Sequence, residues 1–191
     1  MRSDEIATPK GEWATPNKLY HHLDKEFHFD ADAAANEQNT KHPVYFTKSM
    51  DSLSFNWKDM IEFKKTEQKP YPAFFLNPDY AKGVVDKFVA KARLEARHGS
   101  LVACLLPVVT DTQWWNRSVM ADDGAVAIEI RFIEGRVRYV GHTKDGKVIT
   151  QGPTFPSCIV IFSQSHPHYW NADTNPLMPY IGKTIVMKEL K

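Results

Sequence analysis

Apolar residues in this chain gather into short, separated blocks with two recurring spacings. Ala73-Phe74-Phe75-Leu76 is an uninterrupted apolar run that stops at Asn77-Pro78, as a buried strand ending in a loop does. Val84, Val85, Phe88, Val89, Ala92 and Ala96 then follow at helical spacing, with Lys87, Lys91, Arg93 and Arg97 on the other faces. Gly99 supplies a stop for that helix. Leu101-Val102-Ala103-Cys104-Leu105-Leu106 is a second run without alternation, closed by Pro107. Two fully apolar strands joined by a helix predict a right-handed parallel βαβ unit.

Outside that unit the pattern is looser. Val126–Phe132 and Ser157–Phe162 read as two more strands. Between them, Arg136–Val140 and Lys147–Thr150 flank Lys144-Asp145-Gly146, which has the composition of a hairpin turn. Near the start, Phe27-His28-Phe29 leads into Asp30-Ala31-Asp32 and a helix-prone Ala33-Ala34-Ala35, with Asp32 placed to cap it. Residues 1–12 are polar and read as a flexible segment, and Glu62–Pro70 reads as a surface connection. The expected architecture is a single α/β domain over 13–191, built on a mostly parallel sheet with a late β-rich elaboration.

Composition changes this picture little. The chain has 191 residues, 42% hydrophobic and 25% charged, as one ordinary globular domain would. No apolar run approaches the roughly 20 residues that span a bilayer, and Met1-Arg2-Ser3-Asp4-Glu5 lacks the apolar core of a secretory signal. Cys104 and Cys158 lie inside apolar runs, which favours free thiols in a reducing cytoplasm over a disulfide or metal site. The eight histidines have no metal-ligand spacing, and His166-Pro167-His168 reads as a structural turn. A net charge of +1 does not announce nucleic-acid binding, so a DNA enzyme of this balance would concentrate its basic residues on one face. Arg131, Arg136, Arg138, Lys144 and Lys147 crowd one β-rich stretch and are the candidate phosphate contacts; a solvated charged hairpin explains them equally well.

Candidate chemistry collects where strands end. Open α/β sheets bind ligands outside the carboxyl ends of their strands. Thr15-Pro16, Asp30 with Asp32, Asp51-Ser52-Leu53 and Asn77-Pro78-Asp79-Tyr80 all follow apolar segments. The last of these offers an amide oxygen, an adjacent main-chain carbonyl and an aromatic ring on one stiff loop. Two acceptors aimed at the hydrogens of an exocyclic amino group, beside a ring that stacks on a base, suit transfer to adenine nitrogen.

These residues belong to an ordered series. Trp13-Ala14-Thr15-Pro16 fits W-x-T-P, and Phe29–Asn36 fits F-x-x-D-A-A-A. Tyr45-Phe46-Thr47, Asp51-Ser52-Leu53 and Trp57 follow, then Leu105-Leu106-Pro107 with Thr110, Thr112 and Trp114-Trp115. Ile130–Val137 fits I-R-F-I-x-G-R, and Ile159-Val160-Ile161-Phe162 the last strand. Over roughly residues 13–162 the chain resembles the phage-type DNA N-6-adenine methyltransferases. The resemblance implies a Rossmann-like fold that uses S-adenosylmethionine, held around Trp13, Thr15, Pro16, Asp30, Asp32, Ala33, Asp51, Leu53 and Asn77. It implies that Asn77, Pro78 and Tyr80 face adenine, in a tetrapeptide that reads N-P-P-Y in the family and carries Asp at position 79 here. Trp114, after a strand end on the active face, becomes a candidate DNA contact. The implied partner is double-stranded DNA, without metal or membrane, for a monomer or weak dimer in the cytoplasm of a phage-infected or prophage-carrying bacterium. Two alternatives stay open on sequence: methylation of RNA or of protein glutamine, and a catalytically weak or silent methyltransferase-like protein.

Overall fold

A computed structural model describes residues 6–9, 12–121 and 126–164; the His166-Pro167-His168 turn lies outside them. The chain runs through α1 (Asn17–Phe27), β1 (Ala31–Asp32), β2 (Ala73–Leu76), α2 (Val85–Arg97), β3 (Leu101–Pro107), β4 (Ala127–Phe132), β5 (Tyr139–His142), β6 (Val148–Gln151) and β7 (Ser157–Ser163). Short 3-10 turns at Lys48–Met50 and Trp57–Met60 and a π-helical turn at Trp115–Val119 complete it. Among the described residues no helix is long and apolar enough to cross a membrane.

The predicted βαβ unit forms as β2-α2-β3, with Phe74 beside Val102 and Leu76 beside Cys104 in parallel register. The main sheet has the order β1-β2-β3-β7-β4. β1 is parallel to β2, whereas β7 is antiparallel to both β3 and β4. Four strands therefore share a direction and β7, threaded between β3 and β4, opposes them. The sheet is mostly parallel in strand direction, as expected, and mixed in its pairings. An interior strand is apolar on both faces whichever way it runs, so Ser157–Phe162 gave no sign of its direction.

Both faces of the sheet are covered. On one, Val85, Val89, Ala92 and Ala96 of α2 pack on Phe74, Leu76, Val102, Cys104, Val160 and Phe162. On the other, Leu19, Tyr20, Leu23 and Phe27 of α1 pack on Phe75, Ala103, Leu105, Ile159 and Ile161. Each Val, Leu, Ile or Phe side chain among them contributes about 1.5–3 kcal/mol of burial. Cys104 and Cys158 are free and buried in the core, where burial and their mutual proximity push the Cys104 thiol well up. α1 ends at His28, which turns left-handed at φ 50° while its N–H still donates to the Asp24 carbonyl.

Three local expectations change. Ala33–Ala35 form no helix, because neighbours take their backbone groups: Ala33 N–H donates to Phe75 O, Ala35 N–H to Phe46 O, and Ala33 O accepts from the Ser52 hydroxyl. Lys91 and Arg93 are buried instead of facing solvent. Lys91 pairs with buried Glu95 at 2.7 Å, and Arg93 donates to Ser118 O and Ala121 O at the end of the π-helical turn. The hairpin forms at Lys144-Asp145-Gly146, with Gly146 at φ 80°, but its first strand begins at Tyr139.

That hairpin lies over the α1 face, since Tyr139 and Val137 join the core there. Ala14 bridges to Val140 and Ile6 to Thr143, so the N-terminal segment pairs along β5. Gly141 is required at the crossing: a Cβ there would stand 2.8 Å from the Trp13 ring.

Candidate active site

β2 delivers Asn77 to the carboxyl edge of the sheet, and the side-chain amide is gripped at both ends. Its Nδ2 donates to Thr15 Oγ1 at 3.0 Å, and its Oδ1 accepts from the Tyr80 hydroxyl at 2.9 Å. Thr15 is buried and immediately precedes Pro16, which leads into α1. The Tyr80 hydroxyl also lies 2.9 Å from Leu105 O and 2.9 Å from the Tyr139 hydroxyl. Burial pushes the Tyr80 phenol well above its ordinary range, so it stays protonated and serves as a donor. Pro78 is buried between Asn77 and the exposed Asp79.

Asp79 takes a local role. Its Oδ1 accepts from the Ala81 N–H at 3.0 Å, closing an Asx turn across the loop. The carboxylate thus stiffens the segment between Pro78 and α2, and no cis peptide is needed there.

Trp13, Asn77, Pro78, Asp79, Tyr80 and Phe155 line a cleft of about 690 Å³, with the Tyr80 and Phe155 rings 5.7 Å apart. A second hollow of about 870 Å³ lies against the same Tyr80 and Phe155 and is bordered by Trp114, Gln113 and Arg117. Phe155, Tyr139 and Lys82 were not singled out from sequence. Nothing in the sequence pattern links positions 80 and 139.

The expected cofactor residues divide. β1 is the point where the chain reverses across the sheet: Tyr45 bridges Asp32 on one side while β2 pairs on the other. Crevices at such a point hold ligands in open sheets. Asp32 and Ala33 lie there, both buried, and Ser52 ties Asp51 and Leu53 to them through Ala33 O. Asp32 is buried, its carboxylate accepting from Ala34 N–H and Lys41 N–H. Burial outweighs those bonds and lifts its pKa from 3.8 to about 6. Asp51 is exposed, in a left-handed conformation at φ 51°. Asp30 departs from expectation. Its carboxylate accepts from Ala73 N–H and pairs with Lys69 at 2.6 Å. Ala73 opens β2, so Asp30 sits roughly 13 Å along the strand from Asn77, by about 3.3 Å per residue.

Of the candidate DNA contacts, Arg131 is also redirected. It is only 2% exposed and is held by Glu26 at 2.5 Å and Glu129 at 2.7 Å, with its guanidinium over the Phe27 ring. A phosphate cannot reach it, so it ties β4 to α1. Arg136, Arg138, Lys144 and Lys147 are exposed on and beside the hairpin. Trp114 is half-buried at the second hollow. Among the described residues no group of three or more His, Cys, Asp or Glu is placed to hold a metal ion.

Sheet and cleft together are those of an α/β protein whose cleft opens beyond the carboxyl end of β2. The chain belongs to the DNA N-6-adenine-methyltransferase (Dam) family, which it matches over residues 2–178. A DNA N-6-adenine-methyltransferase of Haemophilus phage HP1 (strain HP1c1) is 26% identical over 171 residues, covering 87% of each chain. Family membership makes this chain an adenine-specific DNA methyltransferase in class.

Proposed function

We propose that this enzyme uses S-adenosylmethionine to methylate the exocyclic amino nitrogen of adenine in double-stranded DNA. The fixed Asn77 amide at the mouth of the cleft is the observation that carries this reading. The adenine amino nitrogen is a weak nucleophile because its lone pair is shared with the ring. Asn77 Oδ1, with one lone pair left after Tyr80, and the Pro78 carbonyl accept its two hydrogens and localise that lone pair. The Tyr80 ring, with Phe155 beside it, holds the extrahelical base by stacking, an interaction of about 1–3 kcal/mol per base. Positioning supplies most of the acceleration.

The loops around the carboxyl end of β1 supply groups that suit the donor chemically. A sulfonium with an amino-acid tail and a ribose would be met by Asp32, Asp51 and Thr15, with Trp13 and Leu53 as the apolar residues of the same loops. When bound, S-adenosylmethionine supplies an electrophilic methyl group. We read the sheet accordingly as a Rossmann-like methyltransferase fold, acting as a monomer or weak dimer in the cytoplasm of a bacterium that carries phage or prophage.

Tritiated cofactor offered with duplex DNA, RNA and protein tests the substrate. Label is expected in duplex DNA, and label confined to RNA or protein would overturn the proposal. Asn77→Ala should cut transfer by about 10²–10³, as loss of an oriented polar group in a reaction site does, while cofactor affinity measured by calorimetry holds. Transfer by Asn77→Ala at the native rate would remove Asn77 from the mechanism.

A further inference from the structure

We infer that Tyr139 is a positioning residue that fixes the catalytic amide from the far side of the cleft, tying the β5–β6 hairpin to the chemistry. The inference rests on the reading of Asn77 as the acceptor for adenine. The Tyr80 oxygen has three oxygens at 2.9 Å: Asn77 Oδ1, Leu105 O and the Tyr139 hydroxyl. The first two only accept. Tyr80 has one proton, so giving it to Tyr139 would leave bare lone pairs facing two acceptors in a buried site, which is costly. Tyr139 is therefore the donor to Tyr80, and the Tyr80 proton is directed onto Asn77 Oδ1 and Leu105 O.

The remaining geometry supports the assignment. Tyr139 is 7% exposed, and its ring meets the Tyr80 ring edge-on at 6.5 Å. Burial raises the Tyr139 phenol, so it too keeps its proton. The residue lies on β5, 59 positions from Tyr80, and lines the same cleft. Three elements converge on one amide: Thr15 holds Nδ2, and the hairpin holds Oδ1 through Tyr139 and Tyr80. Exposed Arg136, Arg138, Lys144 and Lys147 belong to that hairpin region. A chain of two hydroxyls thereby joins the hairpin to Asn77.

Tyr139→Phe keeps the ring and removes the donor. It should lower kcat about 10-fold, the size of one buried hydrogen bond, with KM for DNA and cofactor affinity within about 2-fold. Tyr80→Phe should lower kcat at least as much, and the double variant should match Tyr80→Phe alone, because the two hydroxyls act in series. A native kcat in Tyr139→Phe, or additive losses in the double variant, would overturn the inference. The Asn77 side-chain amide signals of 15N-labelled protein give a second readout that needs no turnover. They should be exchange-protected in the native protein and lose protection in Tyr139→Phe; equal protection in both counts against the role. Absence of methyl transfer by the native enzyme would count against the proposed function instead, leaving the amide measurement to decide Tyr139.

Discussion

A proline at position 79 would fix φ near −65° and bias Pro78 toward an extended conformation. Asp79 reaches a similar end through its side chain, by bonding the Ala81 N–H. Asparagine offers the same acceptor and alanine does not. Asp79→Asn is therefore expected to transfer methyl groups at close to the native rate, and Asp79→Ala to fall about 5-fold, the worth of one hydrogen bond of about 1 kcal/mol. Initial rates on duplex DNA check both. Asp32 is a residue whose effect appears in pH. Its folded carboxyl titrates near 6 against an ordinary 3.8, so the folded state holds a proton that the unfolded chain releases earlier. The resulting stability is fully present below about pH 3.8 and is lost as pH rises through about 6. Relative to Asp32→Asn, the native protein should lose about 3 kcal/mol of unfolding free energy between pH 4 and pH 7. Urea melts of the two proteins across that range measure it.

Elements were legible where burial alone decides the pattern. β2, α2 and β3 carry continuous apolar runs or a helical stripe, and they form as expected. What the pattern could not carry is partnership. Arg131 sits in an apolar-flanked Ile-Arg-Phe-Ile that offers no hint of Glu26, more than a hundred positions away, so a buried clamp looked like a surface cation. The Asn77 loop was readable because its acceptors and ring are contiguous, whereas Tyr139 becomes part of the site only once the hairpin folds back. α1 was missed for a related reason: its buried face is four residues among histidines and charges. Arg131→Ala should cost about 3 kcal/mol of stability by stranding two carboxylates against α1 and β4. Urea titration reads this cost, and the salt dependence of DNA binding should stay unchanged.

Over the whole molecule the net charge is +1, and the hairpin carries acids beside its bases: Lys147 pairs with exposed Asp145 at 2.7 Å. Arg136, Arg138, Lys144 and Lys147 are all exposed on and beside that hairpin, whose Tyr139 and Gln151 line the cleft. If they meet phosphates, each removal should reduce the slope of log Kobs against log salt by about 1. Fluorescence anisotropy with a labelled duplex gives that slope, and an unchanged value for all four would leave the hairpin a solvated surface. The place of β7 has a consequence for how the protein is made. Among the described strands, the one that closes the sheet between β3 and β4 is the last to leave the ribosome. β3 is complete about fifty residues before β7 begins. At about 5–20 residues per second, the nascent chain therefore carries an apolar, unpaired sheet edge for roughly 3–10 s. Synthesis rate and chaperone supply, more than native stability, should govern how much active enzyme accumulates, and chains interrupted before Ser157 should be recovered as aggregate.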